Sequence, residues 1–326
     1  MAAETAPLNS VLPEGMMQFF LWKLLGAAAS SRVAPTAGRA FALAVFVFSI
    51  PKIPVKAQNP PANLKAPKSY YLALGDSITY GYQAFKAQAN LPPSAFNTGY
   101  VDAFAARLRQ IRPQITIVNY GCPGESTESF VNGPCLWTET GHQLHDAFSG
   151  TQREAAFAFL RAHPGQVSPI TLTLAGNDLP WLLGPCTMNG QIDLSCVQNN
   201  APGFIAGFAE RISGILGQLR SAAPDAEIIV TGTMDPYINF LAFADPLYKA
   251  VNQAIAAAAT ANRAKFADPL PIFNPQGDAT AEAQTLCRLT LLCTQNDSHP
   301  SDAGYQALAD IVFEAFEFVG RRQECN

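Results

Sequence analysis

The chain has 326 residues, of which 48% are hydrophobic and only 14% are charged, and its formal net charge is −4 at pH 7. This composition supplies a sizeable hydrophobic core and excludes a chain that is disordered over most of its length. The acidic excess lies beyond residue 57 and is not interrupted by a basic run, which argues against a nucleic-acid partner because nucleic-acid binding depends on neutralising phosphates.

Residues 1–57 have the pattern of a secretory signal peptide. Two arginines precede an uncharged apolar run at residues 40–50. This run is shorter than the roughly 20 residues that a membrane-spanning helix needs. Val55 and Ala57 are small residues at positions −3 and −1 of a cleavage site. We therefore expect cleavage after Ala57, a secreted or periplasmic protein, and no stable membrane span after cleavage.

The leader in front of the apolar run is unusually long. A start at Met16 or Met17 would shorten it, and an uncleaved anchor is the alternative to a cleaved signal. Residues 58–67 are rich in Pro and Asn, which is typical of an extended linker. The folded domain is then expected at residues 68–326.

Beyond the linker, short apolar segments alternate with amphipathic ones. This alternation predicts an α/β domain in which helices cover both faces of a parallel sheet. Ligands of such sheets bind beyond the carboxyl ends of the strands, so functional motifs are expected directly after each strand. In chain order the sequence predicts a strand at 70–74, a helix at 100–111, a strand at 115–118, a helix at 154–160, a strand at 170–174, a helix at 204–219, a strand at 228–230, a helix at 246–265, a last strand at 266–273 interrupted by two prolines, and a helix that begins at 301–302 and runs to 319.

All seven cysteines follow residue 57, and none forms a C-x-x-C pair, so a zinc ribbon or a thioredoxin-like motif has no support. In a secreted protein, cysteines at close spacing predict disulfides. Pairing between neighbours is a hypothesis based on proximity, and many other arrangements remain open. Cys325 is left over and is either free or a link between two chains. The predicted pairs are Cys122–Cys135, Cys186–Cys196 and Cys287–Cys293.

Two of the candidate catalytic residues follow a strand or precede a helix. Ser77, in Gly75-Asp76-Ser77, lies at a strand-to-helix turn, which presents its hydroxyl at the edge of the sheet. His299, in the segment before the last helix, has the side chain best suited to act as a base near neutral pH. Taken singly, such a Ser is typical of a helix cap and such a His of a surface residue. The G-x-S-x-G motif of α/β-hydrolases is absent.

Two further motifs follow other predicted strands. Asn119-Tyr120-Gly121-Cys122-Pro123-Gly124 is a Gly-rich turn whose backbone N–H groups can approach a ligand, although an ordinary turn is also consistent with it. Gly176-Asn177-Asp178 brings a side-chain amide donor to the same edge. Backbone N–H groups and amides of this kind stabilise the oxyanion of a transition state.

In their order and context, these four motifs resemble the signature blocks of the GDSL, or SGNH, hydrolases, over essentially all of residues 69–320. The resemblance implies a flavodoxin-like three-layer α/β/α domain with a five-stranded parallel sheet. It also implies hydrolysis of carboxylic esters of lipids, carbohydrates or small acyl groups. The paired cysteines make the chain most similar to the secreted, disulfide-bridged GDSL lipases and esterases.

The resemblance also implies residue roles. Ser77 would be the nucleophile and His299 its base, and the backbone N–H groups of Ser77 and Gly124 with the amide of Asn177 would form the oxyanion hole, with no metal or organic cofactor. The commonest family pattern has Asp three positions before the His, where this chain has Asn296. Asp297, two positions before, is therefore the predicted orienting acid; a backbone carbonyl in that role is the alternative.

The expected partner is a small-molecule or lipid ester. A carbohydrate acetyl esterase and a phospholipase of the same fold are the alternative activities, and a catalytically inactive binding protein is a less favoured one. The sequence does not predict the acyl preference or the oligomeric state.

Two other sets of residues are ambiguous. His142 and His145 lie three positions apart, which is typical of a solvated surface pair more than of a metal site, since no third ligand is evident. Four apolar residues flank the predicted site and are candidates for an acyl pocket, although packing explains them equally well. They are Trp137, Trp181, Leu182 and Leu183.

Overall fold

The structure is a computed structural model that describes residues 66–237 and 244–316. The predicted signal peptide, all of the linker except its last two residues, Cys325 and the end of the last predicted helix lie outside the described residues. Within these ranges, no helix is long and apolar enough to cross a membrane.

The central sheet has five parallel strands in the spatial order β2-β1-β3-β6-β7. This is the strand order of flavodoxin-like folds, so the predicted fold class is confirmed. Two short antiparallel pairs, β4 with β5 and β8 with β9, lie outside this sheet. The strands are β1 (Tyr70–Gly75), β2 (Thr116–Asn119), β3 (Val167–Thr173), β4 (Thr187–Met188), β5 (Gln191–Ile192), β6 (Ile228–Thr231), β7 (Lys265–Ala267), β8 (Thr290–Leu291) and β9 (Asp297–Pro300).

Helices connect the strands, and several short ones lie in the loops at the carboxyl edge of the sheet. A 3-10 helix at Pro93–Phe96 precedes α3. The α-helices are α1 (Ser77–Tyr80), α2 (Ala84–Gln88), α3 (Tyr100–Ile111), α4 (Thr127–Asn132), α5 (Leu136–Glu139), α6 (Gln152–Ala162), α7 (Pro180–Leu183), α8 (Leu194–Ala222), α9 (Ala244–Ala261), α10 (Leu270–Phe273), α11 (Ala279–Leu289), α12 (Leu292–Gln295) and α13 (Asp302–Ala315).

The core consists of two layers, one on each face of the sheet. Side chains alternate along a strand, so Leu72 and Leu74 of β1 pack with α6, α8 and α9, while Tyr71 and Ala73 pack with α3 and α13. All seven residues of β3 are buried, as expected for a central strand covered on both faces. The rigid sheet therefore fixes the carboxyl ends of its strands, where the predicted motifs lie.

Several predicted boundaries are wrong. The helix predicted at 246–265 ends at Ala261, because the chain turns into β7 at Lys265. Helix α8 begins at Leu194, ten residues before the predicted start, although Pro202 lies inside it. Proline and the polar residues before it disfavour a helix interior, but Asp193 caps the first turn by accepting hydrogen bonds from the N–H groups of Ser195 and Cys196. The last predicted strand is only three residues long, because the chain after Asp268 turns into α10.

The three neighbouring cysteine pairs lie at disulfide-bonding distance. Each pair lies near one of the predicted motifs. One pair holds the turn after β2, one connects the start of the β4–β5 hairpin to α8, and one joins α11 to α12. The pairs are Cys122–Cys135, Cys186–Cys196 and Cys287–Cys293.

Candidate active site

The candidate nucleophile follows a tight turn at the end of β1. Gly75 has φ +131°, and a Cβ atom there would lie 2.1 Å from the carbonyl oxygen of Thr173, so only glycine fits. Asp76 caps α1 by accepting a hydrogen bond of 3.0 Å from the N–H of Ile78. Ser77 is the first residue of α1 and its side chain is nearly buried, facing the cavity described below.

A continuous chain of hydrogen bonds joins three of the predicted catalytic residues. Ser77 Oγ lies 3.0 Å from His299 Nε2, and His299 Nδ1 lies 2.6 Å from Asp297 Oδ1. A hydroxyl, an imidazole and a carboxylate in this order form the arrangement that activates a serine nucleophile. The structure thus brings together residues that are separated by more than 200 positions in the sequence.

The acid next to the imidazole is Asp297 and not Asn296. Asn296 has φ +52°, ends α12 and is exposed, whereas Asp297 begins β9 and is 1% exposed. Burial alone would raise the pKa of Asp297, but the charge of His299 and hydrogen bonds from its ring, its own N–H and the N–H of Ala84 hold the pKa below its usual value. The carboxylate is therefore ionised at neutral pH.

The loop between α1 and α2 fixes the strand that carries His299. Besides the bond from the Ala84 N–H to Asp297 Oδ2 at 2.8 Å, the side-chain amide of Gln83 donates to the carbonyl of Pro300 and to the carboxylate of Asp302. Gln83 is nearly fully buried. The imidazole thus has an anchored backbone on both sides.

The predicted oxyanion donors lie on two neighbouring loops that contact each other. Gly124, with φ +90°, is in the turn after β2. The next residue, Glu125, accepts a hydrogen bond of 3.0 Å at its carbonyl from Asn177 Nδ2. Because an amide nitrogen carries two hydrogens, Asn177 retains a second donor. Ser77, Asn177 and His299 line one cavity, and Gly124 is connected to it through the bond between Glu125 and Asn177.

A buried polar network that the sequence did not predict lies behind the candidate nucleophile. The side chain of Gln152, at the start of α6, accepts a 2.6 Å bond from the Gly75 N–H and donates a 2.9 Å bond to the Gly75 carbonyl. Its amide also donates to the carboxyl group of Glu125 at 3.0 Å, and Ser129 donates to the same group. Gln152 therefore links the turn before Ser77 to the turn that carries Gly124, a predicted oxyanion donor.

Glu125 is 2% exposed, and burial raises its pKa to about 8. A glutamate side chain is seldom buried this completely. Here it lies beside the main chain of the turn that precedes Ser77. The only sequence signal for it is its position directly after the second glycine of the N-x-G-x-x-G motif.

Asp178 of the Gly176-Asn177-Asp178 motif joins the two loops that carry the predicted oxyanion donors Gly124 and Asn177. Its carboxylate is fully buried, accepts hydrogen bonds from the N–H and the hydroxyl of Thr127, and lies 3.6 Å from the guanidinium of Arg211 on α8. Thr127 is the first residue of α4, which follows Glu125 and its capping residue Ser126. Asp178 thus positions Asn177 against the preceding loop.

Ser77 and His299 open into a largely apolar cavity at the carboxyl edge of the sheet. Of the four flanking residues from the sequence, only Leu183 lines it: Leu182 belongs to the core, Trp181 is 56% exposed, and Trp137 packs against Tyr80 and Tyr82. The apolar lining comes from the loop that follows β3 and from helices α7 and α9. It includes Leu174, Leu179, Pro180, Leu183, Leu247 and Tyr248.

His142 and His145 have separate contacts. The ring of His142 stacks on Trp137 at 3.8 Å and bonds to Thr140, while His145 Nε2 bonds to the carbonyl of Tyr80. Among the described residues, no group of His, Cys, Asp and Glu has an arrangement that would hold a metal ion.

Comparison with known proteins agrees with this architecture. The family model of the GDSL-like lipase/acylhydrolase family matches residues 73–307. That span contains all of the predicted catalytic and oxyanion residues. No curated protein matches the chain significantly.

Solved structures with the same fold include the lipase Lip_vut3 from a goat rumen metagenome, at 17% identity and a TM-score of 0.52, covering 77% of this chain and 98% of that one. The extracellular lipase from Streptomyces rimosus and the phospholipase A1 from Streptomyces albidoflavus NA297 each have 16% identity and a TM-score of 0.51, and each comparison covers 76% of this chain and 99% of the other. At these identities the similarity shows the fold.

Proposed function

Because the chain belongs to the GDSL-like lipase/acylhydrolase family, we propose that it is a serine esterase or lipase that hydrolyses carboxylic ester bonds. The observation that carries this proposal is the hydrogen-bonded chain of Ser77, His299 and Asp297 at the mouth of an apolar cavity. A hydrogen-bonded nucleophile, base and orienting acid serve acyl transfer, whereas a binding protein needs none of them.

In the proposed mechanism, His299 Nε2 accepts the proton of Ser77 Oγ as the oxygen attacks the ester carbonyl. Asp297 accepts the hydrogen bond from Nδ1–H and stabilises the imidazolium that forms. His299 then gives the proton to the departing alcohol, which leaves an acyl-serine. Water, deprotonated by the same imidazole, then attacks the acyl-serine, and the bond to Ser77 Oγ breaks as His299 returns the proton to that oxygen, which releases the acid and regenerates Ser77.

The oxyanion of both tetrahedral intermediates would be bound by the N–H groups of Ser77 and Gly124 and by the amide of Asn177. Asn177 is already in position before the reaction begins, because its side chain is held by a hydrogen bond to the carbonyl of Glu125. Preorganisation of this kind avoids reorganisation at the moment of reaction.

The acyl group would occupy the apolar cavity, which supports an esterase or lipase more than an enzyme restricted to acetyl groups, since acetyl has little apolar surface to bury. A phospholipase shares all of these residues and differs only in the alcohol part of its substrate.

We also propose that the protein is exported. Three cysteine pairs at disulfide-bonding distance support this, because disulfides persist in oxidising compartments. The signal peptide at residues 1–57, with cleavage after Ala57, and the hydrolase domain at 68–326 belong to the same proposal.

The test is hydrolysis of p-nitrophenyl acetate, butyrate, octanoate and palmitate by the purified protein, with Ser77→Ala as the control. We expect activity in the wild type, loss in the variant, and covalent labelling of Ser77 by a fluorophosphonate. A folded, disulfide-intact protein that hydrolyses none of these esters and takes up no label would contradict the proposal. A profile with a sharp maximum at acetate would favour the acetyl esterase.

A further inference from the structure

Among the described residues, the large hydrophobic side chains that are most exposed all belong to segments that follow the carboxyl end of β1, β3 or β7, the edge of the sheet at which the candidate active site lies. The connections at the opposite edge of the sheet, within the described residues, contain none of them. The six are Phe85 (44% exposed), Leu91 (41%), Trp181 (56%), Met188 (70%), Leu194 (50%) and Ile272 (46%).

Three of the six, Trp181, Met188 and Leu194, belong to one segment, residues 179–194, and we call these three side chains the apolar rim. The inner side of this segment forms part of the cavity wall, through residues such as Leu179 and Leu183. The apolar rim is at least half exposed. One segment therefore joins the inside of the cavity to the solvent-exposed apolar surface.

The two segments that contain five of the six exposed side chains carry very little charge. Asp193 is the only charged residue between positions 179 and 209, and its carboxylate is used to cap α8. Between positions 78 and 99 the only charged residue is Lys86, which is 9% exposed and donates to Thr98. Surfaces that dock onto anionic lipid carry clusters of Lys and Arg, so the charge pattern here favours a neutral apolar partner.

Part of this segment is also cross-linked. The Cys186–Cys196 bond closes a loop that contains Met188, Leu194 and the β4–β5 hairpin but not Trp181, and the N–H of Asp193 donates to the carbonyl of Cys186 at 2.8 Å. A preorganised apolar surface loses less conformational entropy when it is buried. Exposed apolar patches on soluble proteins typically mark an interaction site.

From these observations we propose that the apolar rim inserts into the surface of aggregated ester substrate, a neutral lipid–water interface, and so places the mouth of the cavity against that surface. The inference rests on the proposed ester hydrolase activity and specifies the physical state of its substrate. Burial of one large apolar side chain strengthens partitioning by roughly tenfold or more. Three such side chains are enough for reversible binding of the kind that interfacial segments achieve.

The test measures binding to lipid vesicles, and activity on ester substrate in two physical states, emulsified and dissolved. The variant is Trp181→Ser combined with Met188→Ser and Leu194→Ser. Binding is measured by co-sedimentation with phosphatidylcholine vesicles, and activity with emulsified tributyrin and with dissolved p-nitrophenyl butyrate. We expect the variant to lose about 1,000-fold in vesicle affinity and about tenfold or more in activity on the emulsion, with kcat/KM for the dissolved ester within about twofold of wild type.

A matched charge pair sharpens the test. Met188→Glu adds a carboxylate on the apolar rim, and Gln110→Glu adds one at an exposed position in the last turn of α3, at the opposite edge of the sheet. We expect only the first to weaken vesicle binding. Equal losses on dissolved and emulsified ester, or absence of vesicle binding by the wild type, would overturn the proposal.

Self-association is the other occupant to exclude. If wild-type protein sediments as a dimer and the triple variant as a monomer, the apolar rim is an interface between two copies and the proposal is wrong. Failure of the proposed activity is distinguishable, because the wild type would then leave the dissolved ester intact whatever its vesicle binding.

Discussion

The side chain of Gln152 holds the main chain of Gly75 by both of its polar groups, at 2.6 Å and 2.9 Å. Gly75 lies two residues before Ser77, and both partners are buried. The position of the candidate nucleophile therefore depends on a residue of another helix, 77 positions away from Gly75 in the sequence.

We expect Gln152→Ala to lower the free energy of unfolding by about 2–4 kcal/mol, because buried backbone groups left without partners cost about 1–3 kcal/mol each. We also expect kcat for p-nitrophenyl butyrate to fall while KM changes little, since Gln152 is behind the turn and does not line the cavity. Urea unfolding and steady-state kinetics measure the two effects. Arg153→Ala, on the next residue, is the control, and equal behaviour of the two variants would contradict a positioning role.

Glu125 predicts an unusual pH dependence of stability. Burial raises its pKa in the folded protein to about 8, above the ordinary value of 4.5. Between these two values the unfolded chain has lost the proton that the folded chain retains, so stability falls as pH rises through this window. The slope for a single proton is at most about 1.4 kcal/mol per pH unit.

Glu125→Gln should remove this contribution, so that its stability relative to wild type increases from pH 5 to pH 8. Glu128→Gln, at an exposed position three residues later in the first turn of α4, should leave the slope unchanged. Urea midpoints for the three proteins at pH 5, 6, 7 and 8 give the comparison. Parallel pH profiles for wild type and Glu125→Gln would show that Glu125 is ionised in the folded state.

The choice between Asp297 and its neighbour Asn296 is also testable. Asp297→Asn keeps the shape of the side chain but removes the charge that orients the imidazole, and a loss of about 10⁴-fold in kcat is expected from this kind of change. Asn296→Ala, at an exposed position, should retain kcat within about twofold. Steady-state kinetics on p-nitrophenyl butyrate measure both. If Asp297→Asn keeps near-normal activity, a backbone carbonyl orients His299 instead.

Asn177→Ala tests the oxyanion hole. Removal of one donor typically costs about 100- to 1,000-fold in kcat, and KM should change little because the donor acts on charge that develops in the transition state. The variant also loses the hydrogen bond to the carbonyl of Glu125, so circular dichroism and a thermal midpoint are needed to show that the fold is retained. A fall in kcat of less than about tenfold would argue against this role.

The sequence predicts the sheet, and which residues meet at the candidate site, better than it predicts the contacts that hold them in place. The bounds of α3 are as predicted, because its apolar positions recur at helical spacing along the whole element. The start of α8 is not, because the cap by Asp193 and the packing of the first part of the helix against the core stabilise a segment whose residues disfavour a helix.

The support of the candidate site is invisible in the sequence for a different reason. The bonds from Gln152 to Gly75 and from Asn177 to Glu125 join distant positions and have no local spacing pattern. By contrast, Asp297 lies two residues from His299, so the sequence could predict that the two are close. It could not predict that Asp297 is buried while Asn296 is exposed.

The size of the cavity gives a last prediction, on acyl-chain length. Leu183, on α7, lines the cavity and is only partly buried, so a larger side chain can be placed there without displacing the core. We expect Leu183→Trp to occupy part of the space of a long acyl chain. The ratio of kcat/KM for p-nitrophenyl octanoate to that for the acetate should fall by about tenfold or more, because roughly two buried methylene groups would be displaced at about 0.8 kcal/mol each. Leu182→Met, a similar-volume change at a neighbouring residue that does not line the cavity, is the control. If Leu183→Trp lowers both esters equally, the acyl chain lies elsewhere and the cavity binds the alcohol part of the substrate.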